Sequence, residues 1–179
     1  MDNIKSLVLH FFYIMIFKKK PQDLKYSINL FIILFCCTLV LSNQIVYYLE
    51  IGIFSNIFFS ILISNFSFLI IIYFFLKKIS LSKRFIQTAS NLLGVEIINL
   101  ILFVTVVFFN NNLNKYYIHF FISLCISIWL FFVRVHIIKN SFNYNILKSV
   151  FFCFIFLVLN FLLTCIISFF MSPIFKYIN

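Results

Sequence analysis

Glu96 stands near the start of a long apolar run, with Asn99 three residues further on. A carboxylate at membrane depth costs from about 2.5 kcal/mol upward, so it points to a partner or a task. The cations in reach are Arg134 and His136, at the end of a later apolar run. Two chemistries follow from these residue types. A Glu96–Arg134 ion pair would lock two helices together, whereas a Glu96–His136 pair would relay a proton. Other polar side chains recur at helical spacing: Ser60, Ser64 and Ser67, then Ser123 and Ser127, then Asn160, Thr164 and Ser168. Steps of three or four put each set on one helix face. Small polar residues there let membrane helices approach closely and bond across the contact. The same faces could instead line a substrate path.

Catalytic patterns are missing from the sequence. There is no H-E-x-x-H, G-x-S-x-G, P-loop or G-x-G-x-x-G. With 2 glycines in the whole chain, a glycine-rich phosphate cradle cannot form. His10, His119 and His136 sit in separate segments without a carboxylate or cysteine set beside them. Cys36, Cys37, Cys125, Cys153 and Cys165 all lie in apolar runs with no C-x-x-C spacing. They read as packing residues with neither disulfide nor metal. The expectation is a non-enzyme with no catalytic residue, no cofactor and no metal.

The elements that position these residues must be membrane helices. Hydrophobic residues make up 64% of the 179 and charged residues 10%, against about 25% charged in a soluble domain. Such a chain cannot cover a water-facing surface. Apolar runs at 27–47, 57–76, 92–109, 118–133 and 150–172 predict five spans. A helix rising 1.5 Å per residue needs about twenty residues to cross roughly 30 Å of hydrocarbon. The polar stretches 77–91 and 134–149 read as links, and Pro173 as the end of the last span. The run at 6–17 is too short to cross. Ile4, Leu7, Val8, Phe11 and Met15 share one face of it, which predicts an amphipathic helix lying on the membrane surface and ended by Pro21.

Charge then orients the bundle. Twelve Lys and Arg residues fall in the N-terminal segment and in the links after the second and fourth spans, against Lys115 and Lys176 on the other side. The positive-inside rule puts the N-terminus in the cytoplasm and the C-terminus outside. Three units result: residues 1–26 as a cytoplasmic interfacial helix with its basic segment, 27–172 as the five-span domain, and 173–179 as a short external tail. The formal net charge of +10 matches attraction to anionic headgroups. Nucleic-acid binding is disfavoured because no loop is long enough to fold into a basic domain.

One stretch carries a family likeness. A span ending in a basic turn, followed by KRFIQTASNLLG at 83–94, resembles the bacterial branch of the Yip family. Trp129 and His136 around the fourth span extend the likeness. That resemblance implies a five-span membrane protein, and its eukaryotic members interact with Rab GTPases. The chain is also similar to a group of small proteobacterial inner-membrane proteins of unknown function. Their PQDL motif, here Pro21 to Leu24, follows a short apolar N-terminal segment, but this chain has Lys25 where the group has a second proline. The long cytosolic region of the eukaryotic relatives has no counterpart in these 179 residues, so no GTPase partner carries over. The likeness implies no catalytic residue. The expected function is a Yip-like inner-membrane protein that organises lipid or binds a membrane-protein partner, or a second copy of itself. The alternative is a small transporter using Glu96 and the polar faces of the second and fifth spans.

Overall fold

The structure, a computed structural model, describes residues 2–48, 54–110 and 116–176. Every regular element among them is helical: α1 (Asp2–Met15), α2 (Ile28–Tyr48), α3 (Phe54–Lys78), α4 (Phe85–Asn110), α5 (Tyr116–Phe142) and α6 (Ile146–Lys176). Two short 3-10 turns, Pro21–Asp23 and Ser82–Arg84, precede α2 and α4. The expected loops holding Glu50, Gly52 and Lys115 lie outside the described residues, as do the side-chain surroundings of Ser60, Ser64, His119, Thr164, Ser168 and Lys176. Among the described residues three stretches are long and apolar enough to cross a membrane, Ser82–Val106, Phe121–Phe142 and Ile146–Leu163. The chain has the helices of a membrane protein.

The five long helices form a ring in the order α2, α4, α5, α6, α3, and α1 packs from outside against α4 and α5. The connectors α1–α2, α3–α4 and α5–α6 meet at one end of this ring. There the Gln22 amide donates to the Asn140 carbonyl, and Arg84 Nη1 lies 3.0 Å from Asn143 Oδ1. Lys18, Lys19, Lys20, Lys83 and Arg84 fall in these connectors, so we call this the basic end.

The helices arriving at the basic end stop in the same way. Phe17, Ser80 and Asn143 adopt left-handed backbone at φ 61, 60 and 55. The next residue's amide then reaches back five positions, with Lys18 N–H donating to the Tyr13 carbonyl at 2.8 Å, Leu81 to Leu76 at 2.8 Å and Tyr144 to Lys139 at 3.1 Å. This is the Schellman ending, usually built on glycine. Here a chain with 2 glycines builds it on other residues. Two of the departing helices, α2 and α6, begin on side-chain caps: Ser27 Oγ accepts from Leu30 N–H at 3.2 Å, and Asn145 Oδ1 from Ile146 N–H at 2.6 Å.

Several sequence expectations are corrected by these bounds. Residues 85–91 are the opening turns of α4, not a link, and α5 continues nine residues past 133. Gln87 and Asn91 in the first stretch and Arg134 and His136 in the second bond to other elements of the protein. Helix α1 ends at Met15 through its own C-terminal turn rather than at Pro21, and α6 runs past Pro173 to Lys176. The buried face of α1 is His10, Phe11, Ile14 and Met15, while Ile4 and Val8 are exposed. That helix is docked on the bundle, and its apolar residues divide between protein and exterior. Among the cysteines only Cys153 is packed; Cys36, Cys37, Cys125 and Cys165 are exposed on the outer surface.

Buried side chains concentrate toward the basic end. One cluster joins Ile14 and Met15 to Ile72, Leu76, Val95 and Val133, and another joins Phe11 to Leu24, Leu34 and Leu93. Elsewhere apolar side chains point outward, as with Ile33 on α2 and Phe151, Phe154 and Phe161 on α6. Lipid is as apolar as these residues, so association of such helices rests on packing and interhelical bonds rather than on escape from water.

Candidate functional site

Asn91 lies at the centre of the basic end. It sits two turns into α4 and is fully buried. Its Nδ2 donates to the Pro21 carbonyl at 3.0 Å and to the Gln87 carbonyl at 2.7 Å, one turn back on its own helix. Two carbonyls facing one atom fix that atom as the nitrogen, so Oδ1 is free to accept. His10 Nε2 lies 3.1 Å from it, which requires the proton on Nε2. His10 is only 5% exposed. Burial lowers its pKa below 6.5, the Asn91 bond opposes this, Lys19 reinforces it and Asp23 opposes it. Neutral His10 with its proton on Nε2 satisfies the geometry.

The same face of α4 holds the PQDL turn through Gln87. Its Nε2 donates to the Leu24 carbonyl at 2.8 Å and approaches the Gln22 carbonyl at 3.5 Å. Pro21 is buried and Asp23 turns its carboxylate onto the Lys20 N–H at 2.8 Å. From α5, His136 Nε2 lies 3.0 Å from the Lys19 carbonyl, so it too carries a proton on Nε2. Connector backbone that would otherwise need water is thus satisfied by amides of α4 and an imidazole of α5. Gly94 belongs to this docking. A Cβ there would overlap three atoms of the Phe11 ring, so the absent side chain admits α1 against α4.

About a turn and a half beyond Asn91, the structure brings Glu96 and Arg134 together, with Nη2 2.8 Å from Oε2. At 1.5 Å per residue the five residues from Asn91 to Glu96 cover about 7.5 Å. The pair therefore lies close to the polar layer rather than at mid-bundle. Both side chains are partly exposed. His136 is engaged with the connector at Lys19 instead, and Asn140 Nδ2 donates to the His136 carbonyl at 2.8 Å. The Glu96–His136 relay is not assembled. Asn99 is half-buried one turn beyond Glu96, and Asn160 is half-buried on α6. Ser127 bonds back to the Ser123 carbonyl at 2.8 Å and is exposed, so it serves its own helix rather than a neighbour.

Sequence reasoning missed His10, Gln22, Arg84, Gln87 and Asn91. Gln87 and Asn91 stand four apart and Arg84 three before Gln87, a polar stripe on one helix face. That spacing was the available signal. Among the described residues no group of His, Cys, Asp and Glu could hold a metal ion. The arrangement orders a connector and fixes two charges; it presents no nucleophile beside a base.

Compared with protein-family models, with curated proteins and with solved structures, the chain matches none of them.

Proposed function

We propose that the chain is a five-span, Yip-like membrane protein that organises lipid or a protein partner at its basic end and carries out no chemistry itself. The observation that carries this reading is the gathering of three connectors, two of them basic and the third flanked by Lys139 and Lys148, around the PQDL turn. Helices α2 and α3 are 21 and 25 residues long, enough at 1.5 Å per residue to cross about 30 Å. If every helix from α2 to α6 crosses, those connectors share one side, and their lysines and arginines make it the cytoplasmic one. Helix α1 then lies at the interface, held to α4 by His10 and Phe11, with Ile4, Val8 and Phe12 toward lipid. Glu96 and Arg134 neutralise each other between α4 and α5, which favours a locking role over transport.

Reporter fusions test this reading. A fusion after Asn145 is expected to report from the cytoplasm and one after Lys115 from outside. A cytoplasmic signal after Lys115 would overturn the five-span reading.

A further inference from the structure

We propose that a cavity of about 500 Å³ at the basic end is a binding site for a phosphate ester that also carries a hydroxyl or ammonium group. A glycerophospholipid headgroup and a soluble glycerol phosphate share that chemistry. The cavity is lined by Lys20, Gln22, Arg84, Lys139, Asn140 and Tyr144, drawn from all three connectors and the last turn of α5. Its volume falls within the usual range of small-molecule sites, about 300–1,000 Å³. The proposal rests on reading the basic end as a membrane–water boundary.

Three cations converge on this cavity and no carboxylate lines it. Among the described residues the only ion pair joins Arg134 to Glu96. Asp23, the acid nearest in sequence, is turned onto the Lys20 backbone N–H. Like charges gathered without a counter-charge repel, and a bound anion relieves that repulsion. Arg84 is already positioned for the task. Its Nη1 is held by Asn143 Oδ1 at 3.0 Å and by the Ser141 carbonyl at 3.4 Å. Among the described residues its Nε and Nη2 have no hydrogen-bond partner, and they form the fork that matches two phosphate oxygens. The negative end of α5 faces this region, but the Arg84 bond and the Tyr144 N–H cover its last carbonyls.

The second half of the ligand follows from Gln22. Its Nε2 donates to the Asn140 carbonyl, which fixes the amide orientation. Its Oε1 is buried with no partner among the described residues. A buried acceptor left unpaired is costly, and a ligand hydroxyl or ammonium would satisfy it. Inorganic phosphate carries its O–H only on the phosphorus that the cations hold, whereas a headgroup or glycerol phosphate places its donor on a separate arm and so fits better than the inorganic ion.

Full-length protein in dodecyl maltoside, at low salt, would be titrated by calorimetry with short-chain phosphatidylglycerol, glycerol 3-phosphate and inorganic phosphate. Saturable binding of the lipid or of glycerol phosphate is expected, with inorganic phosphate weaker. Binding of the lipid alone identifies a headgroup site, and equal binding of glycerol phosphate a soluble ligand. The Lys20→Gln/Lys139→Gln variant should bind at least about tenfold more weakly, because it removes two of three charges that contact the anion. Lys77→Gln/Lys78→Gln removes the same charge outside the cavity and should change affinity less than about twofold, as expected for exposed charges. Equal weakening by both variants, or no saturable binding of any probe, would overturn the proposal. The fusion reporters read topology without ligand, so failure of this site and failure of the five-span reading are separable.

Discussion

The two halves of α4 differ in burial and in what holds them. From Thr88 to Val95 every residue is buried, the polar Thr88, Ser90 and Asn91 among them; from Glu96 to Val106 every one is half-buried or exposed. The first half is held by directional bonds to His10, Pro21 and Leu24. Beyond Glu96 the second is apolar up to Val106 except for Asn99 and Thr105, and Thr105 bonds back to the Ile101 carbonyl. A membrane helix needs only apolarity to be stable in lipid, whereas its position against neighbours must be specified by contacts with one solution. In α4 that specification is concentrated in the first half.

The sharpest way to break this contrast is to make one substitution twice. Asn91→Leu removes the donors for Pro21 and Gln87 and the acceptor for His10. With buried partners left unpaired at about 1–3 kcal/mol each, a loss of roughly 3–4 kcal/mol is expected. Asn99→Leu in the second half should change stability by about 0.5 kcal/mol or less, as expected away from such networks. Thermal unfolding in detergent measures both, and limited proteolysis should cut the Asn91→Leu variant first near residues 18–26. Comparable losses in the two variants would remove the asymmetry.

Glu96 and Arg134 mark the border between the halves, and charge exchange tests what they do there. Glu96→Arg or Arg134→Glu alone leaves two like charges beside each other near lipid. A loss of about 2.5–3.5 kcal/mol is expected from the cost of an uncompensated charge in a span. The double exchange should recover most of the membrane abundance lost by either single variant, measured by quantitative blotting. Failure to recover would mean that the pair does more than lock α4 to α5.

The sequence made the second half of α4 legible and hid the first. Long apolar runs located the body of each long helix, because membrane helices are written in length and hydropathy. Residues 85–91 and 134–142 were read as links because polarity usually marks loops, yet both are helix. Their polar residues serve connector backbone, and no pattern in a single chain announces which carbonyl needs a donor. Gln22 and Asn140 are 118 residues apart and His10 and Asn91 are 81 apart. The Glu96–Arg134 contact could be anticipated since a lone carboxylate in an apolar run has few cations to choose from. The face of α1 could not, because both of its sides are apolar and only Gly94 admits Phe11.

The smallest effect expected in the first half is a dependence on pH, and it comes from His10. Burial holds its folded-state pKa below the unfolded value of 6.5. Above 6.5 both states are neutral and the docking of α1 contributes in full. As pH falls below 6.5 the unfolded chain takes up a proton that the folded chain does not. Stability therefore declines until the folded pKa is passed. Protonation also gives both ring nitrogens a hydrogen while only Nε2 faces an acceptor, Asn91 Oδ1. Thermal unfolding between pH 7.5 and 5.5 should show this decline in the natural chain. His10→Gln can still donate to Asn91 but does not titrate, so its decline should be smaller over that interval. The Asn99→Leu variant should keep the natural slope, since its substitution lies in the half that the docked helix does not order. Equal slopes for the natural chain and His10→Gln would show that the docking of α1 is insensitive to the charge on this ring.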